Sequence, residues 1–249
     1  MTTLLIDGDV VAYTAAASEH TVIDWGDGES VHSDLEAMKQ KVDSALSSYM
    51  KQLGGTKMTV AFSHTGDTFR HTIWSDYKAH RRNPKPPNYW ELVAYIEDVY
   101  RCERWEHLEA DDVLGLLATA PKSGDTIIVS VDKDMRTLVG KWANIRKDCE
   151  VEEIDQFHAD YHWMTQALTG DTADGYKGLP GIGPKKAEKI LEGCRDVDEM
   201  WDAVLGAFLH KGLTYDDALT QAQLARILRH GDLQKDGNVT LWTPQLLSN

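Results

Sequence analysis

Three short apolar runs, separated by segments with helical spacing, limit the fold of this chain more than any other feature. Residues 3–6, 58–62 and 126–131 have the length and the apolar content of buried strands. Between the first two, apolar side chains recur at helical spacing from Leu35 to Leu53. Strands that alternate with helices in this way form a mainly parallel sheet with helices packed on its faces. The sequence therefore predicts an α/β fold with a mainly parallel central sheet flanked by helices.

Beyond residue 154 the apolar spacing becomes helical. Helices are predicted over 155–169, 184–191, 197–209 and 215–228, and a last strand over 239–242. We therefore expect an α/β core at 1–154 and a helical region at 155–249. No repeat and no disordered linker separates the two.

Composition excludes several classes of protein. A hydrophobic share of 42% is sufficient for a buried core, and no apolar run has the roughly 18 residues of a membrane span. The three cysteines, Cys102, Cys149 and Cys194, are far apart and form no CxxC pair. This pattern favours a reducing, cytoplasmic compartment and argues against zinc. We expect no membrane partner.

The distribution of charge bears on nucleic-acid binding. A formal net charge of −14 opposes such binding, because contacts with phosphates need a positive surface. Basic residues nevertheless cluster at 78–85 and 185–189, and many carboxylates occur in close pairs. One interpretation is an acidic surface that keeps the protein soluble. The other is that bound cations neutralise the acid pairs.

Acidic residues occur where predicted strands end and where predicted helices or turns begin. In open α/β sheets, sites collect at the carboxyl ends of the strands. The acids found at such positions are Asp7, Glu109, Asp111, Asp112, Asp132, Asp134, Asp171 and Asp174. Each has an ordinary explanation as a turn former or a helix cap. Together, however, converging like charges repel one another unless cations hold them.

Oxygen ligands without cysteine or histidine suit Mg²⁺ or Mn²⁺ rather than Zn²⁺. Two such ions about 4 Å apart form an arrangement that cleaves phosphodiesters. One ion generates the attacking hydroxide and the other stabilises the leaving oxygen. The acids therefore predict a site for two divalent metal ions.

Five stretches of the sequence resemble a known family. They are LLIDGD at 4–9, FRHTIWSDYKAHR at 69–81, LEADDVLGLLA at 108–118, VSVDKDMRTLV at 129–139 and GDTADGYKGLPGIGPKKA at 170–187. In this order they resemble the 5′ nuclease, or flap endonuclease, superfamily. The chain is similar to the free-standing 5′→3′ exonucleases of phages and to the 5′ nuclease domain of bacterial DNA polymerase I.

The resemblance implies a PIN-like core and a structure-specific 5′→3′ exonuclease or flap endonuclease. Its substrate would be duplex DNA with 5′ ends or flaps, and also RNA in RNA–DNA hybrids. Asp7, Glu109, Asp111, Asp112 and Asp132 would lie at or near the first metal ion, and Asp134, Asp171 and Asp174 around the second. A phage enzyme of this kind would work in DNA replication in the host cytoplasm, with replication proteins as partners. We expect a monomer.

One position departs from the family pattern. The family has an aspartate after its second strand, seven residues before the arginine of the FRH motif. Here that position is Ser63. Asp67 and His64 are the candidate replacements, and without one of them the first metal ion would lose a ligand or an outer partner.

The basic segment at 63–87 corresponds to an arch over the active site in the family. A lysine or arginine there can steady the scissile phosphate in its transition state. Arg70, Lys78 and Arg81 are the candidate catalytic residues, Tyr77 is the candidate for stacking on a terminal base, and Arg82 is a further candidate for DNA binding. A mobile, solvated basic loop is the alternative interpretation.

Glycines and lysines after the last acid pair form the candidate grip on the duplex. Gly181 and Gly183 permit close approach of a phosphate, and the helix start behind them carries Lys185, Lys186 and Lys189. In the family, residues such as 170–192 form a helix–three-turn–helix that holds the DNA backbone, with K⁺ on loop carbonyls. An ordinary turn before an amphipathic helix would give the same pattern.

The sequence is also compatible with two other functions. One is a catalytically weak, structure-specific DNA-binding protein, which Ser63 favours and the other acids oppose. The other is an RNA-directed metal nuclease, which the predicted helix–three-turn–helix opposes.

Overall fold

The computed structural model describes residues 1–18, 20–24, 29–81, 83–121, 124–147 and 149–245. In this part of the chain, six strands form one sheet. They are β1 (Thr2–Asp7), β4 (Gly55–Ala61), β5 (Cys102–Glu103), β6 (Asp125–Val129), β7 (Gly140–Asn144) and β8 (Glu150–Ile154). Their order is β5-β4-β1-β6-β7-β8, and every pair is parallel except β7 with β8. The predicted mainly parallel sheet is confirmed.

The centre of the sheet determines where the site lies. Leu4 and Ile6 of β1 are fully buried, as an apolar strand between two neighbours should be. Asp7 pairs with Ala61, and Ile6 pairs with Val129. Three neighbouring strands therefore end at one level, and the residues that follow them lie side by side.

Helices cover both faces of this sheet. They are α1 (Gly8–Ser18), α2 (Leu35–Gln52), α3 (Phe69–Ile73), α4 (Tyr89–Val99) and α5 (Ala110–Ala118). Helices α1, α2 and α4 pack in one apolar cluster around β1, while α5 packs in another. A short hairpin of β2 (His20–Asp24) and β3 (Glu29–Ser33), which the sequence did not predict, lies between α1 and α2.

The helical region has its own apolar core. It contains α6 (Gln156–Thr169), α7 (Pro184–Leu191), α8 (Val197–His210) and α9 (Tyr215–Ala225), packed around Trp163 and Trp201. None of the described helices is both long and apolar enough to cross a bilayer.

The segment after α9 returns to the α/β core. Ile227 and Leu228 pack in the cluster that contains α5, and the Leu228 amide donates to Asp112 at 3.2 Å. The prediction of a last strand at 239–242 is wrong for the described residues, because only an isolated bridge joins Leu233 to Val239. The two regions therefore share packing at the end of the chain.

Candidate active site

A cavity of about 450 Å³ lies at the carboxyl ends of β1, β4 and β6. Carboxylates from four separate parts of the sequence line this cavity. They are Asp7, Asp9, Glu109, Asp111, Asp132, Asp134, Asp171 and Asp174. Among the residues that the structure describes, no three acids, histidines or cysteines are grouped closely enough to form a metal cluster by themselves. The carboxylates thus line one common cavity but do not converge on a single ion-sized position.

Asp7 is the last residue of β1 and is buried in this cavity. Its carboxylate accepts hydrogen bonds from the Ser130 hydroxyl at 2.7 Å and from the Val10 amide at 3.1 Å. Burial first, and then the charges of Asp9 and Asp132, raise the pKa of Asp7 to about 7 although the hydrogen bonds lower it. The hydrogen bonds fix the position of the Asp7 carboxylate, but its negative charge is unfavourable there unless a cation is bound.

Asp111, in the first turn of α5, faces the same carboxylates. Burial, followed by the charges of Asp7 and Asp132, raises the pKa of Asp111 well above its ordinary value. Within the described ranges, the salt bridges in the cavity leave these three acids without a lysine or arginine partner. Buried carboxylates that repel one another are the donor set that a hard divalent cation stabilises.

The carboxylates of Asp132 and Asp134 are oriented by local hydrogen bonds. Asp132 caps the short 3₁₀ helix Lys133–Thr137 and accepts from the Asp134 amide at 2.8 Å. Gln166 of α6 donates its amide to Asp134 Oδ2 at 2.8 Å. Burial and the charge of Asp132 raise the pKa of Asp134 to about 6. Sequence reasoning missed Gln166, because its partner lies 32 residues away.

The last acid pair lies in a tight loop between α6 and α7. Asp171 Oδ1 accepts from the Ala173 amide at 2.6 Å and from the Asp174 amide at 3.3 Å. Gly170 and Gly178 have φ of +69° and +61° and pack backbone against backbone. A Cβ on Gly178 would lie 2.3 Å from the Gly170 nitrogen, so both positions need glycine.

Lys78 and Arg81 extend over this cavity and bind its acids. The Lys78 ammonium forms a salt bridge with Glu109 and lies 3.6 Å from Asp174, while Arg81 pairs with Asp174. Burial alone would lower the pKa of Lys78, but the charges of Glu109 and Asp174 outweigh it and the pKa is raised. Burial would likewise raise the pKa of Glu109, but Lys78 and Arg70 lower it to about 2. Both cations line the cavity and are held there by its acids.

Arg70 does not lie where the sequence analysis expected a catalytic residue. It is only 3% exposed and does not line the cavity. Its guanidinium binds both oxygens of Asp112, at 2.6 and 2.8 Å, and also Glu109 Oε2 at 3.0 Å. The carbonyls of Leu224 and Arg226 accept its remaining hydrogen bonds. A guanidinium saturated in this way supports Glu109 and has no donor left for a substrate phosphate.

The expected roles of Asp112 and Tyr77 also need correction. Asp112 is fully buried and both its oxygens bind Arg70, so it has no free face for a metal ion. Tyr77 is 2% exposed, which rules out stacking on a base. Its hydroxyl lies 2.8 Å from Glu109 Oε2 and 2.9 Å from Asp174 Oδ2. Tyr77 therefore links Glu109 to Asp174 through its hydroxyl and is not exposed for contact with DNA.

The residues near the position of the missing aspartate differ in whether they line the cavity. Asp67 has an 89% exposed side chain and does not line the cavity, so it is not the replacement ligand. Ser63 and His64 do line it. Asp9, which follows the first strand together with Asp7 but was not among the predicted metal ligands, also lines the cavity and accepts a hydrogen bond from the Ser63 amide at 3.2 Å. The signal was present in the repeated acid of Asp7-Gly8-Asp9.

The candidate residues for the duplex lie apart from the cavity. Gly181 has φ +79°, and a Cβ on Gly181 or Gly183 would meet nothing within 4 Å, so this backbone is open. Gly183 has φ −110°, so it does not need glycine for its conformation. The predicted lysines on α7, namely Lys185, Lys186 and Lys189, are exposed, and Lys186 donates to the Gly181 carbonyl at 2.8 Å. Arg82 lies outside the described residues, and the helix–three-turn–helix remains a prediction.

Residues 2–165 match the model of the N-terminal, resolvase-like domain of 5′–3′ exonucleases. The chain belongs to the 5′–3′ exonuclease family. It is 25% identical to the exodeoxyribonuclease of enterobacteria phage T3 and 27% identical to the exonuclease of Escherichia phage T7. Both alignments cover 97% of this chain and 93% of the relative. DNA polymerase I of Bacillus subtilis is 32% identical over 72% of this chain, which is 23% of the polymerase.

Solved structures of this family share the fold. The flap endonuclease of bacteriophage T5, in complex with DNA and metal ions, aligns over 90% of both chains with a TM-score of 0.67 at 13% identity. The phage T5 5′-exonuclease with bound zinc aligns over 90% of this chain and 93% of its own, with a TM-score of 0.63 at 14% identity. The predicted family and α/β fold are confirmed.

Proposed function

We propose that this family member is a divalent-metal-dependent 5′→3′ exonuclease and flap endonuclease that hydrolyses phosphodiester bonds of duplex DNA. The observation that carries the proposal is the convergence of acids from four separate segments on one cavity, beneath the cations of Lys78 and Arg81. Relatives described as exonucleases, similar over nearly the whole chain, support it.

The carboxylates that line the cavity have the oxygen donors that two Mg²⁺ or Mn²⁺ ions would need. Asp7, Glu109, Asp111 and Asp132 would hold the first, and Asp134, Asp171 and Asp174 the second. Bound divalent ions of this kind activate a water molecule and stabilise the leaving oxygen. Sequence reasoning had added Asp112 and Asp67, whose positions in the structure oppose that role.

Lys78 is the residue we assign to the scissile phosphate. Its backbone has φ +56°, and its amide donates to the Asp174 carbonyl at 2.9 Å, so the side chain starts from a fixed point above the cavity. An entering phosphate would replace Glu109 as the partner of the Lys78 ammonium. Arg81, half exposed and bound to Asp174 and to the Ala173 carbonyl, would act beside it. Positive charge placed in advance stabilises the phosphate in the transition state.

The duplex would lie along α7. The open backbone at Gly181 and Gly183, with Lys185 and Lys189 exposed one turn apart, suits contact with phosphates rather than bases. The proposal has further parts. K⁺ would bind the carbonyls of this loop, and the enzyme would also cleave RNA in RNA–DNA hybrids. It would be a monomer that acts in the host cytoplasm with replication proteins as partners.

Incubation of the protein with 5′-labelled blunt, nicked, flap and RNA–DNA hybrid substrates tests this function. We expect cleavage from the 5′ side of duplex DNA in Mg²⁺ and none in EDTA. Binding without cleavage in any divalent metal would favour a DNA-binding protein instead. Cleavage of RNA with no cleavage of DNA would favour an RNA-directed nuclease.

A further inference from the structure

Asp9 and Ser63 lie side by side at the edge of the proposed metal site. Strands β1 and β4 pair in parallel with Asp7 opposite Ala61, and the two residues each lie two positions beyond that pair. The Ser63 amide donates to Asp9 Oδ2 at 3.2 Å, and both side chains line the cavity. Residue 63 itself brings no charge to this edge, whereas Asp9 brings a carboxylate.

Two contacts fix the direction of that carboxylate. The Tyr89 hydroxyl donates to Asp9 Oδ1 at 2.9 Å, opposite the Ser63 amide. The guanidinium of Arg104, which also lines the cavity, is occupied by the Ser63 carbonyl at 2.7 Å and by Glu97 at 2.9 Å. In the described part of the chain, no salt bridge joins Asp9 to a lysine or arginine. Asp9 is thus oriented by two neutral donors, and its side chain lines the cavity.

The charge of Asp9 acts on the metal-facing acids. Asp9 lies two residues after Asp7, and both carboxylates line the same cavity. An acid in the first turn of α1 also interacts favourably with the helix N-terminus, but that role does not require it to face Asp7. Two carboxylates held close together at the end of β1 repel each other, so a bound cation would stabilise this edge of the site.

We infer that Asp9 supplies to the first metal site the carboxylate that residue 63 lacks, with the Ser63 amide and the Tyr89 hydroxyl as its anchors. This inference rests on the proposed function, because it concerns the same site. It replaces Asp67, which the sequence suggested for this role.

Titration of the full-length protein with Mn²⁺ by calorimetry, without DNA, measures metal binding apart from catalysis. We expect Asp9→Asn to weaken Mn²⁺ binding about 10–100-fold, as removal of partners in a metal shell does. Asp67→Asn is the matched control, since it removes an exposed acid four residues from Ser63 that does not line the cavity, and its affinity should equal that of the wild type. Thermal unfolding in EDTA verifies that each variant folds.

Two further variants separate a metal role from a structural one. Tyr89→Phe removes the hydrogen bond to Asp9 but keeps the charge, so it should retain most of the affinity. Asp9→Asn combined with Ser63→Asp moves the carboxylate to position 63. There it can still accept the hydrogen bond that the Ala110 amide donates to Ser63 Oγ at 3.0 Å. We expect this double variant to recover Mn²⁺ binding relative to Asp9→Asn.

The inference is overturned if Asp9→Asn binds Mn²⁺ like the wild type, if Tyr89→Phe loses as much affinity, or if the double variant recovers nothing. A wild-type protein that binds no Mn²⁺ and cleaves no substrate would refute the proposed function instead. That result is distinct, because it appears before any variant is compared.

Discussion

Replacement of Asp112 by asparagine tests whether this acid is a partner of Arg70 or a metal ligand. The substitution keeps the shape of the side chain but removes the charge that the buried guanidinium of Arg70 faces at 2.6 and 2.8 Å. Breaking a buried ion pair by removing one partner costs about 3–5 kcal/mol, and Arg70 would keep only its contact with Glu109 at 3.0 Å as an acidic partner. We therefore expect Asp112→Asn to lower the free energy of unfolding by that amount.

The assay is thermal and urea unfolding in EDTA, so that metal binding does not add to stability. For a chain of this size, 1 kcal/mol shifts Tm by about 2–4 °C, so the expected fall is roughly 6–20 °C. Glu199→Gln, which breaks the exposed pair with Arg195, is the control and should leave Tm nearly unchanged.

Replacement of Asp111 by asparagine should change Tm in the opposite direction. Asp111 lies among like charges that raise its pKa, so its neutralisation should raise Tm in EDTA and abolish stabilisation by Mn²⁺. If Asp112→Asn also raised Tm, Asp112 would be a member of the acidic metal site and the ion-pair reasoning would be refuted.

Four other variants, three single and one double, test the remaining parts of the site. Asp174→Ala should abolish cleavage while DNA binding stays measurable, and full activity in Mg²⁺ would contradict a two-metal site. Lys78→Ala should slow the single-turnover rate at saturating DNA more than it weakens binding; a pure loss of affinity would argue against its role. Gln166→Ala frees Asp134 and should weaken Mn²⁺ binding about 10–100-fold, whereas unchanged binding would make Gln166 a packing residue. Lys185→Ala with Lys189→Ala should weaken duplex binding equally for all sequences and reduce the salt slope by about 0.9 per lost phosphate contact, and an unchanged slope would remove α7 from the interface.

The sequence was sufficient for the fold class because strand and helix periodicities are local. The runs at 3–6, 58–62 and 126–131 became β1, β4 and β6 at the centre of the sheet. It was less successful where structure depends on distant partners. The hairpin of β2 and β3 gave no clear pattern, and the predicted last strand at 239–242 has a partner for Val239 alone.

Which acids face the cavity is a different kind of question. Their types and their positions at strand ends follow from the sequence, because the carboxyl ends of parallel strands share an edge. Whether a given side chain turns toward that edge depends on partners more than 30 residues away in the sequence. Asp112 is drawn inward by Arg70, Tyr77 is buried under Glu109, and Asp9 is held by Ser63.

The sequence by itself thus determined the α/β architecture, the family and the chemistry of oxygen ligands for divalent metal ions. Only the tertiary structure decided that Arg70 and Tyr77 support the site from within, and that Asp9 rather than Asp67 lies at its open edge. The physical reason is that composition and periodicity record what each residue can do, whereas burial and charge pairing across the fold decide which of those capacities is used.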